Sequence, residues 1–357
     1  MKSVRATQSI PLLLALTAAV GCRAIGPATI PRDRFDYSDS ITESWKRQTL
    51  LNIVKVRYVD PPSFVEVSNI VAGYTLETTV SVGGQISSSD GDSAQLGGTG
   101  RYTDRPTITY VPMTGNRFLK GLMTPVSPES LFFTIQSGWP ADVMLSVGVT
   151  AINGLRNEEL SLGNYRPRDA EFARLTELMR EIQLSGGVGL RIVQSQDKRE
   201  TSILGFHAAG LTDETKAHIA EVRRLLGLDP ETNEFSLVYG SVAANDREIA
   251  VLTRSVLHMN QWMAMRAELP PSHVKDGRAV PGILDAGAPA NEMTPLIRCT
   301  EEEPQAPFVK VRYRDHWFWV DDLDLRAKRA LTFMMLLFTL ADTGERENLP
   351  LVTIPAQ

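Results

Sequence analysis

The sequence predicts an α+β protein, with mixed helix and strand subdomains and one long, protruding Gly/Ser-rich β-hairpin. Three observations predict it. Apolar residues recur at helical spacing in two stretches, Phe172-Leu175-Leu178-Met179-Ile182 and Ile219-Val222-Leu225-Leu226. Short β-rich runs, "GLRIVQ" and "EFSLVYG", follow these stretches, so helices and strands alternate and pack as layers. The stretch "TTVSVGGQISSSDGDSAQLGGTGRY", residues 78–102, alternates strictly on both sides of an acidic tip.

The chain opens with "MKSVRATQSIPLLLALTAAVGC". Lys2 and Arg5 precede an apolar stretch from Ile10 to Val20, which small residues close. That is the layout of a secretory signal, with an apolar core too short to span a bilayer. Ala19-Val20-Gly21-Cys22 resembles a bacterial lipobox. The resemblance implies cleavage before Cys22, acylation of its sulfur and amine, and stable anchoring by several chains. Arg23 stands where such proteins carry an Asp for inner-membrane retention, which points to the outer membrane, facing the periplasm. The alternative is a plain secretory signal with a chance cysteine. Residues 1–21 are then the lipoprotein signal peptide and 22–34 a short Pro-containing tether.

Residues 35–165 read as an N-terminal α+β domain. Ser40 and Glu43 form an S-x-x-E capping box before the stripe Ile41, Trp45, Leu50, Ile53 and Val54, and Pro61-Pro62 end that helix. "SFVEVSNIV" is a strand. The hairpin falls within 74–110. Tyr74, Leu76, Val80, Val82 and Ile86 share one face of its first arm, and Leu96 and Tyr102 belong to the matching face of the second. A turn centred on Asp90 sets Val82 opposite Gly98 and Thr78 opposite Tyr102, so the apolar faces coincide. Each arm has about nine residues, the length of a membrane-spanning β-strand. A lone hairpin cannot satisfy its edges in lipid, so that use requires a ring of subunits donating two strands each. The alternative is a long solvent-exposed or partner-docking hairpin on a soluble body.

"PTITYVPM" follows as a strand, then two short helices, the second capped by Ser127 with Pro128 at its first position. "ADVMLSVGVTAING" reads as a buried strand, with a helix as the alternative. Residues 166–270 form a helix–strand subdomain. Asp169 and Thr212 cap its first two helices, and a long helix from about Arg247 to Glu268 runs into Pro270-Pro271. Residues 271–307 are rich in Pro, Gly and Glu and read as a loop. Residues 308–357 hold a hairpin turning at Arg314-Asp315, a helix capped by Asp324 and an edge strand "PLVTIP". The apolar run of that helix is too short to cross a membrane. "LLNIVKVRYVDPPSFVEV", "RPTITYVPMTG" and this C-terminal hairpin resemble a family of bacterial envelope lipoproteins. The resemblance implies location and carries no activity.

The 357 residues are enough for two or three subdomains. The formal net charge of −5 is well mixed, and no basic stripe points to nucleic acid. Cys299 is the only cysteine besides Cys22, so a lipidated chain forms no internal disulfide and no Cys-based zinc site. Cys299 reads as a half-buried small hydrophobe.

The motifs for metalloprotease, nucleophile-elbow and P-loop chemistry are missing from the sequence. "GGVGLR" follows a helix and enters a strand, so Gly186-Gly187 read as a helix C-cap, not a phosphate loop. Ser195/Lys198 and Ser272/Lys275 match S-x-x-K without its companion elements. Asp321, Asp322 and Asp324 are candidate metal ligands, against a simpler reading as a turn and helix cap. His316, Trp317 and Trp319 are a candidate glycan platform, against cross-strand packing. His207, His218, His258 and His273 fall at spacings that do not pair. The expectation is a non-enzymatic protein without a cofactor. It acts by assembly, through contact with other envelope proteins or copies of itself and with the membrane through its lipid. The rivals are a periplasmic glycan or small-molecule binding module and a lipid-anchored hydrolase.

Overall fold

The computed structural model describes residues 25–71, 74–85, 93–113, 115–161, 164–194, 200–207, 210–283 and 295–341. The signal segment, Cys22, Ile86, Ser195, Lys198 and the "PLVTIP" strand lie outside the described residues. The class is α+β. The chain divides into two compact units. One takes Val65–Pro112 together with the chain up to Ser44, and the other takes Trp45–Phe64 and Met113–Gln357.

Helix α1 spans Ile25–Arg57. It begins well before the expected cap at Ser40 and includes Pro31, so the part of the supposed tether from Ile25 onward is helical. The S-x-x-E pattern misleads because the hydroxyls around it bond inside a continuing helix. Ser38 Oγ donates to Arg34 O at 2.7 Å and Thr42 Oγ1 to Ser38 O at 2.8 Å. The expected stripe is correct at Leu50, Ile53 and Val54, all fully buried. Asn52 then clamps the outgoing loop, donating to Ser63 O at 2.8 Å and accepting from Ser63 N at 2.9 Å.

Four strands follow, β1 (Phe64–Val71), β2 (Tyr74–Gln85), β3 (Ser93–Asp104) and β4 (Thr107–Met113). They form two nested two-stranded ladders, β1 with β4 and β2 with β3. The hairpin is therefore longer than 74–110, since the strand at Thr107 pairs back onto β1. In the inner ladder Leu76 lies opposite Tyr102, Val80 opposite Gly98 and Val82 opposite Leu96. This register is shifted by two residues from the expected one. A shift of two preserves parity, so the alternating sets still coincide. The arms have twelve residues each instead of nine.

The second unit continues with α2 (Gly115–Met123), α3 (Pro128–Gln136), α4 (Ala141–Gly148), β5 (Val149–Ile152), β6 (Leu155–Arg156), β7 (Glu159–Ser161) and β8 (Asn164–Arg166). Then come α5 (Ala170–Leu184), β9 (Val188–Gln194), β10 (Glu200–Phe206), α6 (Asp213–Leu226), β11 (Glu234–Tyr239) and β12 (Glu248–Thr253). The last elements are α7 (Val256–Ala264), α8 (Pro271–Lys275), β13 (Arg298–Thr300), β14 (Val309–Tyr313), β15 (His316–Val320) and α9 (Leu325–Ala341). A six-stranded mixed sheet runs in the order β6-β5-β12-β11-β10-β9, and a three-stranded sheet in the order β13-β15-β14. Both sheets and their helices share one core.

Three assignments differ from expectation. Residues 141–152 split into a helix and a strand, and the expected helix from Arg247 is strand β12 followed by α7. β12 is a central strand, parallel to β11 and antiparallel to β5, with Ile249, Ala250 and Val251 all buried. Buried on both faces, it loses the alternation that distinguishes strand from helix. Ser255 restarts the helix, its side chain accepting from His258 N at 3.2 Å. The region read as a loop, 271–307, contains α8 and β13.

Other local readings agree with the structure. Ser127 and Thr212 accept from Ser130 N and Thr215 N, each at 3.2 Å, as helix caps. Gly186 takes φ +75° just beyond α5. Asp169 precedes α5, but its carboxylate accepts from Arg156 N at 2.7 Å instead of capping the helix.

Candidate functional site

Each of the three C-terminal aspartates is engaged locally. Asp324 Oδ1 accepts from Ala327 N at 3.0 Å, capping α9. Asp322 pairs with Lys328 Nζ at 2.7 Å, and Asp321 Oδ1 accepts from Leu323 N at 3.0 Å. Among the described residues, no group of three or more His, Cys, Asp or Glu could hold a metal ion.

Trp317 and Trp319 are half-buried, while Phe318 and Val320 supply the core face of β15. Lys310 lies opposite Trp319 and Arg312 opposite Trp317. The Lys310 ammonium stands 5.8 Å from the Trp317 ring centre and the Arg298 guanidinium 5.6 Å from that of Trp319. Each ring thus has a cationic side chain within cation–π distance. Cys299 is half-buried against the core, and burial pushes its thiol up to about 12, far from reactive.

Two polar clusters lie in the second unit that no motif announced. The first centres on Glu158, between β6 and β7, with 2% of its surface exposed. Its Oε1 receives the Arg266 guanidinium at 2.5 Å, Arg168 Nη2 at 3.0 Å and Trp262 Nε1 at 3.0 Å. Arg254, also fully buried, donates to Ser146 O at 3.0 Å, Val147 O at 3.1 Å and Glu158 O at 2.7 Å. Burial works to raise the Glu158 carboxyl, but the Arg266 and Arg168 charges outweigh it and hold the group below its ordinary range. Burial, with Arg254 beside it, pushes His258 down to about 4, so this imidazole is neutral at pH 7.

Glu158, Tyr165, Arg254, His258, Trp262 and Arg266 help to wall a cavity of about 10 Å³, room for one water molecule. That is far below the volume a substrate pocket needs. The cluster's chemistry is that of an ion-pair hub tying the β6–β7 connection to β12 and α7.

The second cluster joins the end of α1 to α8 and the C-terminal hairpin. Tyr58 Oη and His273 Nδ1 are 2.8 Å apart, and the His273 and His316 ring centres are 5.2 Å apart. Asp60 accepts from Tyr313 Oη and, at 2.8 Å, from Arg314 Nη2. These bonds hold the Asp60 carboxyl below its usual range, while burial pushes the Tyr58 phenol up to about 12. His273 and Tyr58 are both buried, so the pair is closed to a substrate.

The remaining candidate is the ribbon of β1–β4. Each of its ladders has two strands, so every strand has a sheet neighbour on one side only among the described residues. Val65, Val71, Ile108, Tyr110 and Val111 are exposed on the outer ladder. The inner ladder contains the backbone positions of Tyr74, Leu76, Val80, Val82, Leu96 and Tyr102. Among the described residues, no helix is long and apolar enough to cross a membrane. Comparison with protein-family profiles, with curated proteins and with solved structures returns no match.

Proposed function

We propose that this chain is a lipid-anchored assembly protein of the bacterial outer membrane, facing the periplasm, whose ribbon pairs edge to edge with further copies of itself. The supporting observation is that, among the described residues, β2 and β3 each have a sheet neighbour on one side only. An isolated two-stranded hairpin is marginal in water, and an open edge is a template for another strand. Proteins that stay monomeric blunt such edges with charge, proline or bulges. Here β2 carries one charged residue, Glu77, in twelve, and β3 carries two, Arg101 and Asp104. The exposed apolar side chains of β1 and β4 add surface that association removes from water. The lipobox resemblance at Cys22 supports the anchor and the compartment.

The test compares the intact chain with a variant lacking Thr79 through Arg101, each also in a Cys22→Ala background, by membrane fractionation and native mass in mild detergent. The expected result is an oligomer that the deletion reduces to a monomer, and a Cys22→Ala protein that leaves the membrane pellet once the ribbon tip is gone. An intact chain that is monomeric, with the number of chains per particle unaffected by the deletion, overturns the assembly reading.

A further inference from the structure

We propose that the paired ribbons close into a β-barrel that spans the outer membrane and conducts hydrophilic solutes, an inference that rests on the assembly reading. Length is the first argument. The twelve residues of β2 and of β3 extend about 40 Å along the strand at about 3.4 Å per residue. A tilted strand crosses a bilayer core in about 9–11 residues, so each arm spans it with little left over.

Partition is the second argument. The register gathers one alternate set of pairs as Leu76 with Tyr102, Thr78 with Gly100, Val80 with Gly98, Val82 with Leu96 and Gly84 with Ala94. This set is apolar or small throughout, and Tyr74 with Asp104 closes it at the end nearer β1 and β4. The other set pairs Thr75 with Thr103, Glu77 with Arg101, Thr79 with Thr99, Ser81 with Gly97, Gly83 with Gln95 and Gln85 with Ser93. It holds no large apolar residue. A ribbon with water on both faces has no use for this division. It matters where the two faces meet different media, and a slip by one residue would exchange them.

Closure is the third argument. Backbone groups at an open edge have no water to bond within lipid, so a two-stranded ribbon crosses a membrane only as part of a closed ring. Several copies supply that ring. The apolar set then meets lipid, with Tyr74 and Tyr102 toward one interface, and the polar set lines a water-filled lumen. Glu77 and Arg101, opposite each other in every copy, form the charged belt of that lumen. Together they leave it with little preference for cations or anions, and removing either charge unbalances it.

The experiment uses the full lipidated chain, extracted in mild detergent, sized by native mass, and reconstituted into planar bilayers of phosphatidylethanolamine and phosphatidylglycerol. The expected result is an oligomer giving discrete conductance steps. Glu77→Gln should then lower the potassium-to-chloride permeability ratio at least twofold, and Arg101→Gln should raise it at least twofold. The deletion of Thr79 through Arg101 should give no steps. An oligomer that leaves the bilayer silent overturns the pore and leaves assembly standing, with the ribbons paired in water or against a partner protein. A monomer overturns both. Conductance that neither substitution alters overturns the assignment of the lumen face.

Discussion

Glu158→Gln should be among the most destabilising isosteric changes in the molecule. The substitution keeps the side chain's shape and an acceptor for Trp262 but deletes the carboxylate that Arg266 and Arg168 share. Arg254 and Arg266 are 1% and 2% exposed, so their charges cannot turn to water. Breaking a buried pair in this way costs about 3–5 kcal/mol, against a total stability of about 5–15 kcal/mol. For roughly 250 residues unfolding together, the entropy of unfolding near 60 °C is about 0.5 kcal/mol/K, which converts the loss to about 6–10 °C in Tm.

The assay is calorimetry of the Cys22→Ala form lacking Thr79 through Arg101, with and without Glu158→Gln, from pH 7 downward. The sign follows from the depressed carboxyl. Its contribution is fully present above the unfolded value, about 4.3, and is lost as the pH falls through the lower folded value. The gap between the two proteins should therefore persist at pH 7 and pH 6 and shrink in stronger acid. Adding Arg266→Met to Glu158→Gln should restore part of the loss, because it removes one of the stranded charges. A Tm within about 1 °C of the parent at pH 7 would refute this account, as would a gap that is constant down to acid.

Two further outcomes can be checked by denaturant titration. His258 is held near 4 when folded and near 6.5 when unfolded, so the unfolded chain binds the extra proton between these values and stability falls as the pH drops through them. His258→Gln should flatten that slope between pH 7 and pH 5, and equal slopes would count against it; His273, which burial also lowers, adds a contribution of the same sign. Gly282→Ala should cost about 1–3 kcal/mol, because a Cβ there would lie 2.3 Å from Arg57 Nη2 and 2.7 Å from the Met265 carbonyl oxygen, and a backbone carbonyl yields little. Gly98→Ala, with no atom within 4 Å of its Cβ, is the matching control and should be near neutral.

What was legible in the sequence was what local chemistry decides. Ser127 and Thr212 announce their helices because a cap needs only the next three residues. The same pattern at Ser40 misleads, since a hydroxyl inside a helix can bond backward to its own carbonyls. The parity of the ribbon was readable from alternation alone. Its register was not, because "ISSSDGD" offers several turn positions and the choice among them moves the pairing by whole steps. β12 was hidden because a fully buried strand and a buried helix look alike in a short apolar run. The Glu158 hub had no signal at all. Its charged members come from positions 158, 168, 254 and 266, and the antiparallel pairing of β5 with β12 brings the distant parts of the chain together.

The sheet order also sets a timetable. Ala151 meets Leu252 across about a hundred residues of chain, and α9 adds its buried Leu331 and Phe333 near the end of the sequence. The ladders of β2 and β3 close over no more than thirty residues, Tyr74 to Asp104. Local pairings form early and distant ones late. Ribbon edges are therefore on offer while the large sheet still waits for its centre strand. A chain stopped before Glu248 would keep the residues of β1–β4 and lack β12 and everything after it. If the ribbons pair as proposed, such fragments should join and poison assemblies of the intact chain.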